Sequence, residues 1–110
     1  MNVEKIKIAL INSCIKKDAK RFIPYLLVRN VKTTFPSKLR FYSFFKQMIT
    51  YTKENSNGKL SLVIKKNHFT DSNDNYIDGY LFYDEVCKFP RLTVFVKEYE
   101  NGICLDMPPF

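Results

Sequence analysis

The residues from which a nucleophile and its base could be assembled are few: one histidine, His68, and three cysteines, Cys14, Cys87 and Cys104. A Cys/His couple needs the thiol within hydrogen-bonding reach of the imidazole. If residues 69–75 close a hairpin, His68 lies near its closed end and Cys87 toward the opposite end of the paired strand. That placement separates the two. Nothing around Cys104 forms a nucleophile motif, so no catalytic residue is expected and the chain is read as a non-enzyme. The cysteines are odd in number and widely spaced, with no Cys-x-x-Cys. This fits neither a disulfide scaffold nor a zinc knuckle and predicts free thiols in a reducing compartment.

Metal chemistry has one candidate segment. Asp71-x-Asn73-x-Asn75 matches the opening ligands of a calcium loop, but Tyr76 stands where the glycine is required and Phe82 where the bidentate glutamate is required. A solvated loop of Asx turns is the expectation, with no metal and no cofactor. Asp78-Gly79-Tyr80-Leu81-Phe82-Tyr83 has the aromatic character of a base-stacking strand. It lacks the basic and small residues of that signature, which needs them where Asp78 and Leu81 stand. No glycine-rich phosphate loop is present.

Charge is more informative. The net charge is +7, and it is unevenly spread: residues 1–53 hold twelve Lys/Arg against Glu4 and Asp18, whereas residues 54–110 hold six against nine acids. The basic half is concentrated in Lys16, Lys17, Lys20 and Arg21, with Arg29, Lys32, Lys38 and Arg40 further along. Such a surface steers association with an acidic protein or contacts phosphates. Fourteen of the eighteen cations are lysines, whereas arginine is the side chain suited to bidentate base and phosphate recognition. The candidate partner-binding residues are therefore Lys16, Lys17, Lys20, Arg21, Lys38 and Arg40. A protein is the first expected partner and nucleic acid the second.

These residues must be positioned by a fold of 110 residues, a size that supports one core. A hydrophobic share of 45% argues against disorder. No apolar run of about 18 residues offers a membrane span. The amino-terminal residues lack the basic-then-apolar-then-small pattern of a secretory leader, and the expected location is the cytoplasm, with no membrane partner.

Val3, Ile6, Leu10, Ile11, Cys14 and Ile15 recur at helical spacing behind Asn2, an effective N-cap. Pro24 restricts residues 19–28 to a short or kinked helix. Residues 38–53 carry Ser43, Lys46, Gln47, Thr50 and Lys53 in one stripe, and Leu39, Phe41, Tyr42, Phe44, Phe45, Met48, Ile49 and Tyr51 around the rest. An apolar arc that wide predicts a helix covered on two sides, with its aromatic row in the core. Gly58 is expected to end it in the left-handed conformation.

From Leu60 the period changes to two, which predicts strands over 60–65, 76–86 and 91–99 and a last one after Asn101-Gly102. That dipeptide favours a primed two-residue turn with positive φ at both positions. Such a turn would pair Glu98 with Leu105 and Val96 with Met107. Leu92, Val94, Val96, Ile103, Leu105 and Met107 would then share the core face, leaving Phe95, Tyr99, Cys104 and a Lys97–Asp106 cross-strand pair on the other.

The expected fold is a single α+β domain over 1–110. Two or three amino-terminal helices pack on a four-stranded, mainly antiparallel meander, with a curved, cone-like sheet as one form of it. The function expected first is a small non-catalytic protein-binding module of the inhibitor, immunity-protein or antitoxin kind. The alternatives are a basic nucleic-acid-associated protein using its helical half, and a ligand-binding or enzymatic cone with Tyr and Phe lining a pocket between helix and sheet.

Overall fold

A computed structural model describes residues 1–70, 73 and 75–108, with only the backbone of Phe69. Asp71, Ser72 and Asp74 of the calcium-like segment lie outside the described residues.

Helix α1 (Val3–Ile15) begins where the Asn2 side chain accepts the Lys5 amide at 2.9 Å. This satisfies one of the amides that a helix start leaves unpaired. Its C-terminus is closed by two reversed bonds, Asp18 N–H to Ser13 O at 2.9 Å and Lys17 N–H to Cys14 O at 3.1 Å, with Lys17 left-handed at φ 54°. That is the Schellman pattern, built here on a lysine instead of the usual glycine. Lys16 and Lys17 consequently lie beyond the last helical turn.

A 3-10 helix (Ala19–Phe22) then runs into the single-turn α2 (Ile23–Leu26), whose early Pro24 needs no amide partner. Ser37 caps α3 (Lys38–Asn55) by accepting the Arg40 amide at 3.1 Å. Gly58 is left-handed at φ 77°, but it sits past the C-cap residue Ser56 and does not itself end the helix.

The sheet has five strands, not four: β1 (Val31–Thr33), β2 (Ser61–Thr70), β3 (Tyr76–Tyr83), β4 (Leu92–Glu98) and β5 (Ile103–Asp106) in the order β1-β5-β4-β3-β2. Strands β2 to β5 form the expected antiparallel meander. The added strand β1 pairs in parallel with β5, which makes the sheet mixed. Three residues carry too short an alternation to be read as a strand from sequence. β1 forms because Val31, 1% exposed, fills the core beside Ile103.

The hairpin register also differs. Glu98 pairs with Ile103 and Val96 with Leu105, so Glu100 and Asn101 form the turn. Neither Asn101 nor Gly102 has positive φ. The cause is tertiary: Gly102 is buried against the Asn30 carbonyl, which accepts the Ile103 amide at 3.0 Å, and this contact holds Gly102 in the strand beside β1. The slip of two residues keeps every side chain on its expected face. Leu92, Val94, Val96, Ile103, Leu105 and Met107 are all buried. It does abolish the Lys97–Asp106 pair, since Lys97 faces Cys104 and Asp106 faces Phe95.

Between α3 and the sheet the aromatic rings pack on one another. Phe45 stacks with Phe41 at 5.8 Å and tilts against Phe22 at 5.8 Å, and Tyr80 and Phe82 close the core from β3. The apolar arc of α3 is nonetheless wider than its covering: Leu39 is 75% exposed and Tyr51 56%. The aromatic row is core at Phe41 and Phe45 but not at Tyr51.

Candidate functional site

Asp84 organises the loop that follows β3. It ends β3, and its fully shielded side chain accepts four donors: Cys87 N–H at 2.8 Å, Arg91 Nε at 2.8 Å, Asn57 N–H at 3.0 Å and Val86 N–H at 3.1 Å. Bonds from the Cys87 and Asn57 amides, together with the Arg91 guanidinium, hold its carboxyl well below the usual carboxylate range. The loop is also tied to α3, where the buried Thr52 hydroxyl lies 2.8 Å from Met48 O and 3.2 Å from Arg91 O. This is why the strand expected to reach residue 86 stops at Tyr83: the carboxylate at 84 collects the amides of 86 and 87 into a turn.

The loop turns its apolar residues outward. Phe89 is 76% exposed and Val86 70%. Between Phe89 and Tyr51 of α3 runs a groove of about 350 Å³, floored by Met48, Leu92 and Met107 and edged by Cys87, Pro90 and Pro108. A second hollow continues it along α3 past Phe44 and Gln47. Exposed aromatics on a fixed frame are characteristic of interface anchors. The sequence signal was present in Val86 and Phe89, two apolar residues in a segment otherwise broken by charge and proline.

A basic cleft lies where the turn after α1 meets α3, lined by Lys17, Lys20, Lys46 and Lys53 around Tyr42 and Ile49, with Asp18 as its acid. The six predicted partner-binding residues divide in this setting. Lys20 lines the cleft exposed. Lys17 lines it while donating to Gly58 O at 3.1 Å. Lys16 and Arg40 are exposed, Arg40 at a helical spacing that places it on the α3 face of Gln47 and Tyr51. Arg21 pairs with Asp18 at 3.4 Å. Lys38 is committed to the fold: its ammonium donates to Val28 O at 2.7 Å, and burial lowers its pKa. The six do not form one patch. Lys46 and Lys53, two α3 lysines outside the predicted set, complete the cleft by their spacing of seven.

His68 stacks on Phe95 at 6.0 Å. Cys14 is wholly buried, and burial pushes its thiol and that of Cys104 up, the reverse of an activated nucleophile. Tyr80 and Phe82 of the aromatic strand face the core. Among the described residues no three His, Cys, Asp or Glu side chains gather to hold a metal, and no helix is long and apolar enough to cross a membrane. No protein-family model, curated protein or solved structure matches this chain.

Proposed function

We propose that this is a non-catalytic protein-binding module of the inhibitor, immunity-protein or antitoxin kind, occluding its partner's surface with the face formed by α3 and the loop after β3. The observation that carries this reading is the pair Tyr51 and Phe89, both exposed across a groove whose far wall is pinned by Asp84. A surface already held in place loses less conformational freedom on association, so more of the contact energy becomes affinity. Tyr and Phe supply large contact areas for few rotatable bonds. The neighbouring lysine cleft gives the approach its sign: an acidic partner is steered by Lys20, Lys46 and Lys53, which act mainly on the association rate.

The test is affinity capture with the wild-type chain beside Tyr51→Ala and Phe89→Ala, followed by kinetics on the captured complex. Both variants should melt as the wild type does and lose a stoichiometric protein partner through faster dissociation. Replacing Lys20, Lys46 and Lys53 with glutamine should slow association and flatten its salt dependence. A complex that survives both aromatic replacements overturns the assignment of the groove. If no protein is retained by the wild type at low or physiological salt, the reading as a protein-binding module fails.

A further inference from the structure

The helices pack on the sheet face that carries Val94 and Val96. The opposite face is open to solvent at Lys32, Lys65, His68 and Tyr99. Its side chains fall in two neighbouring rows across the strands. One runs Lys32, Cys104, Lys97, and the next runs Asp106, Phe95, Gly79, Lys65. Among the described residues these two rows hold the lysines Lys32, Lys65 and Lys97 and the acid Asp106, which accepts the Met107 amide at 2.8 Å.

Aromatic rings stand at two places along the line of β4, the central strand. At one, His68 lies flat on Phe95, against Gly79, where a side chain would crowd the imidazole. At the other, Tyr99 is 46% exposed, with the Lys97 and Lys32 ammoniums 5.1 and 5.9 Å from its ring centroid. Beside Tyr99 opens a cleft of about 460 Å³ lined by Arg29, Lys32, Asn101 and the acid Glu100.

We propose that this open face binds single-stranded nucleic acid, with one base stacked on Tyr99 in the cleft and its phosphates met by Arg29, Lys32 and Lys97 toward Lys65. Rings interleaved with cations are the chemistry of single-strand binding, because every base has a π-face and every nucleotide a phosphate. A duplex hides its base faces, so Tyr99 has nothing to stack on there. Four strand spacings of about 4.8 Å place Lys32 and Lys65 roughly 19 Å apart, a track longer than one nucleotide. Binding of this kind reads no base edges, and a lysine ammonium meets a phosphate as a point charge without a bidentate fork. A base entering over Tyr99 displaces a lysine from the ring, and that lysine becomes available to the adjoining phosphate. This surface shares no residue with the α3 groove.

Fluorescence anisotropy with labelled single strands of about twelve nucleotides, oligo-dT and oligo-U, against a duplex of equal length tests this over roughly 50 to 150 mM salt. The single strands should bind at least about tenfold tighter than the duplex. Tyr99→Ala should weaken binding roughly five- to hundredfold while Tyr99→Phe retains it. Lys32→Gln and Lys97→Gln should each reduce the log affinity against log salt slope by about 0.7. Circular dichroism melts establish that each variant is folded; should Tyr99→Ala unfold, the lysine variants decide. Equal binding of duplex and single strand, wild-type affinity in folded Tyr99→Ala, unchanged slopes in both lysine variants, or no binding at low salt would each overturn the proposal. So would loss of binding on replacing Lys20, Lys46 and Lys53 with this face intact.

Discussion

Arg91 Nε stands 2.8 Å from Asp84 Oδ2, and this contact joins the first and last turns of the loop that carries Phe89. The Asp84 carboxyl is held below its ordinary value of 3.8 by the Cys87 and Asn57 amides and by Arg91. A group whose folded pKa is depressed contributes stability that is present above its unfolded pKa and is lost as pH falls toward the folded one. The chain should therefore lose stability as the pH drops below about 4. Asp84→Asn should lower the melting temperature at neutral pH and remove much of that acid dependence. Thermal melts of both proteins from neutral to acid pH measure it; parallel curves would contradict the assigned role.

Gly102 is confined by contact, not by a left-handed backbone. A β-carbon there would meet the Asn30 carbonyl, which is fixed by its bond to Ile103. Gly102→Ala should cost roughly 1–3 kcal/mol, because the added methyl must push β1 away from β5. Denaturant unfolding reads this directly, and an unchanged midpoint would mean that the approach of the two strands is looser than described.

Phe45 is fully buried between Phe41 and Phe22. Phe45→Ala should destabilise by roughly 3–5 kcal/mol, a large fraction of the roughly 5–15 kcal/mol that a domain of this size commands. The expected readout is a large fall in urea midpoint with little change in slope.

Lys17 occupies the left-handed position that glycine fills most easily. Lys17→Gly should raise stability by about 0.5–1 kcal/mol, less a small loss from the exposed bond to Gly58 O. A higher melting temperature is the expected outcome, and a lower one would show that the side-chain bond outweighs the backbone strain.

Features that depend on near neighbours and on period were legible in the residues alone. Asn2 caps the helix that its position announces, Pro24 marks residues 19–28 as a segment without a long helix, and two-residue alternation assigns Leu92, Val94, Val96, Ile103, Leu105 and Met107 to one face whatever the exact register. Contacts between residues distant along the chain emerge when the elements pack. Asn30 reaches Gly102 and moves the hairpin by two residues, overriding the turn preference of Asn101-Gly102. Val31 finds Ile103 and adds a fifth strand. The site followed the same division. Periodicity showed that α3 has more apolar surface than one core contact needs, but it could not show that Tyr51 stays outside while Phe45 goes in, because that depends on where the loop after β3 folds back. Charge counting located the basic half, yet the cleft joins Lys17 and Lys20 to Lys46 and Lys53 and leaves Lys38 inside the fold. Local rules see a residue's type and spacing; which cations gather and which rings remain exposed is set by the packing of elements that lie far apart in the chain.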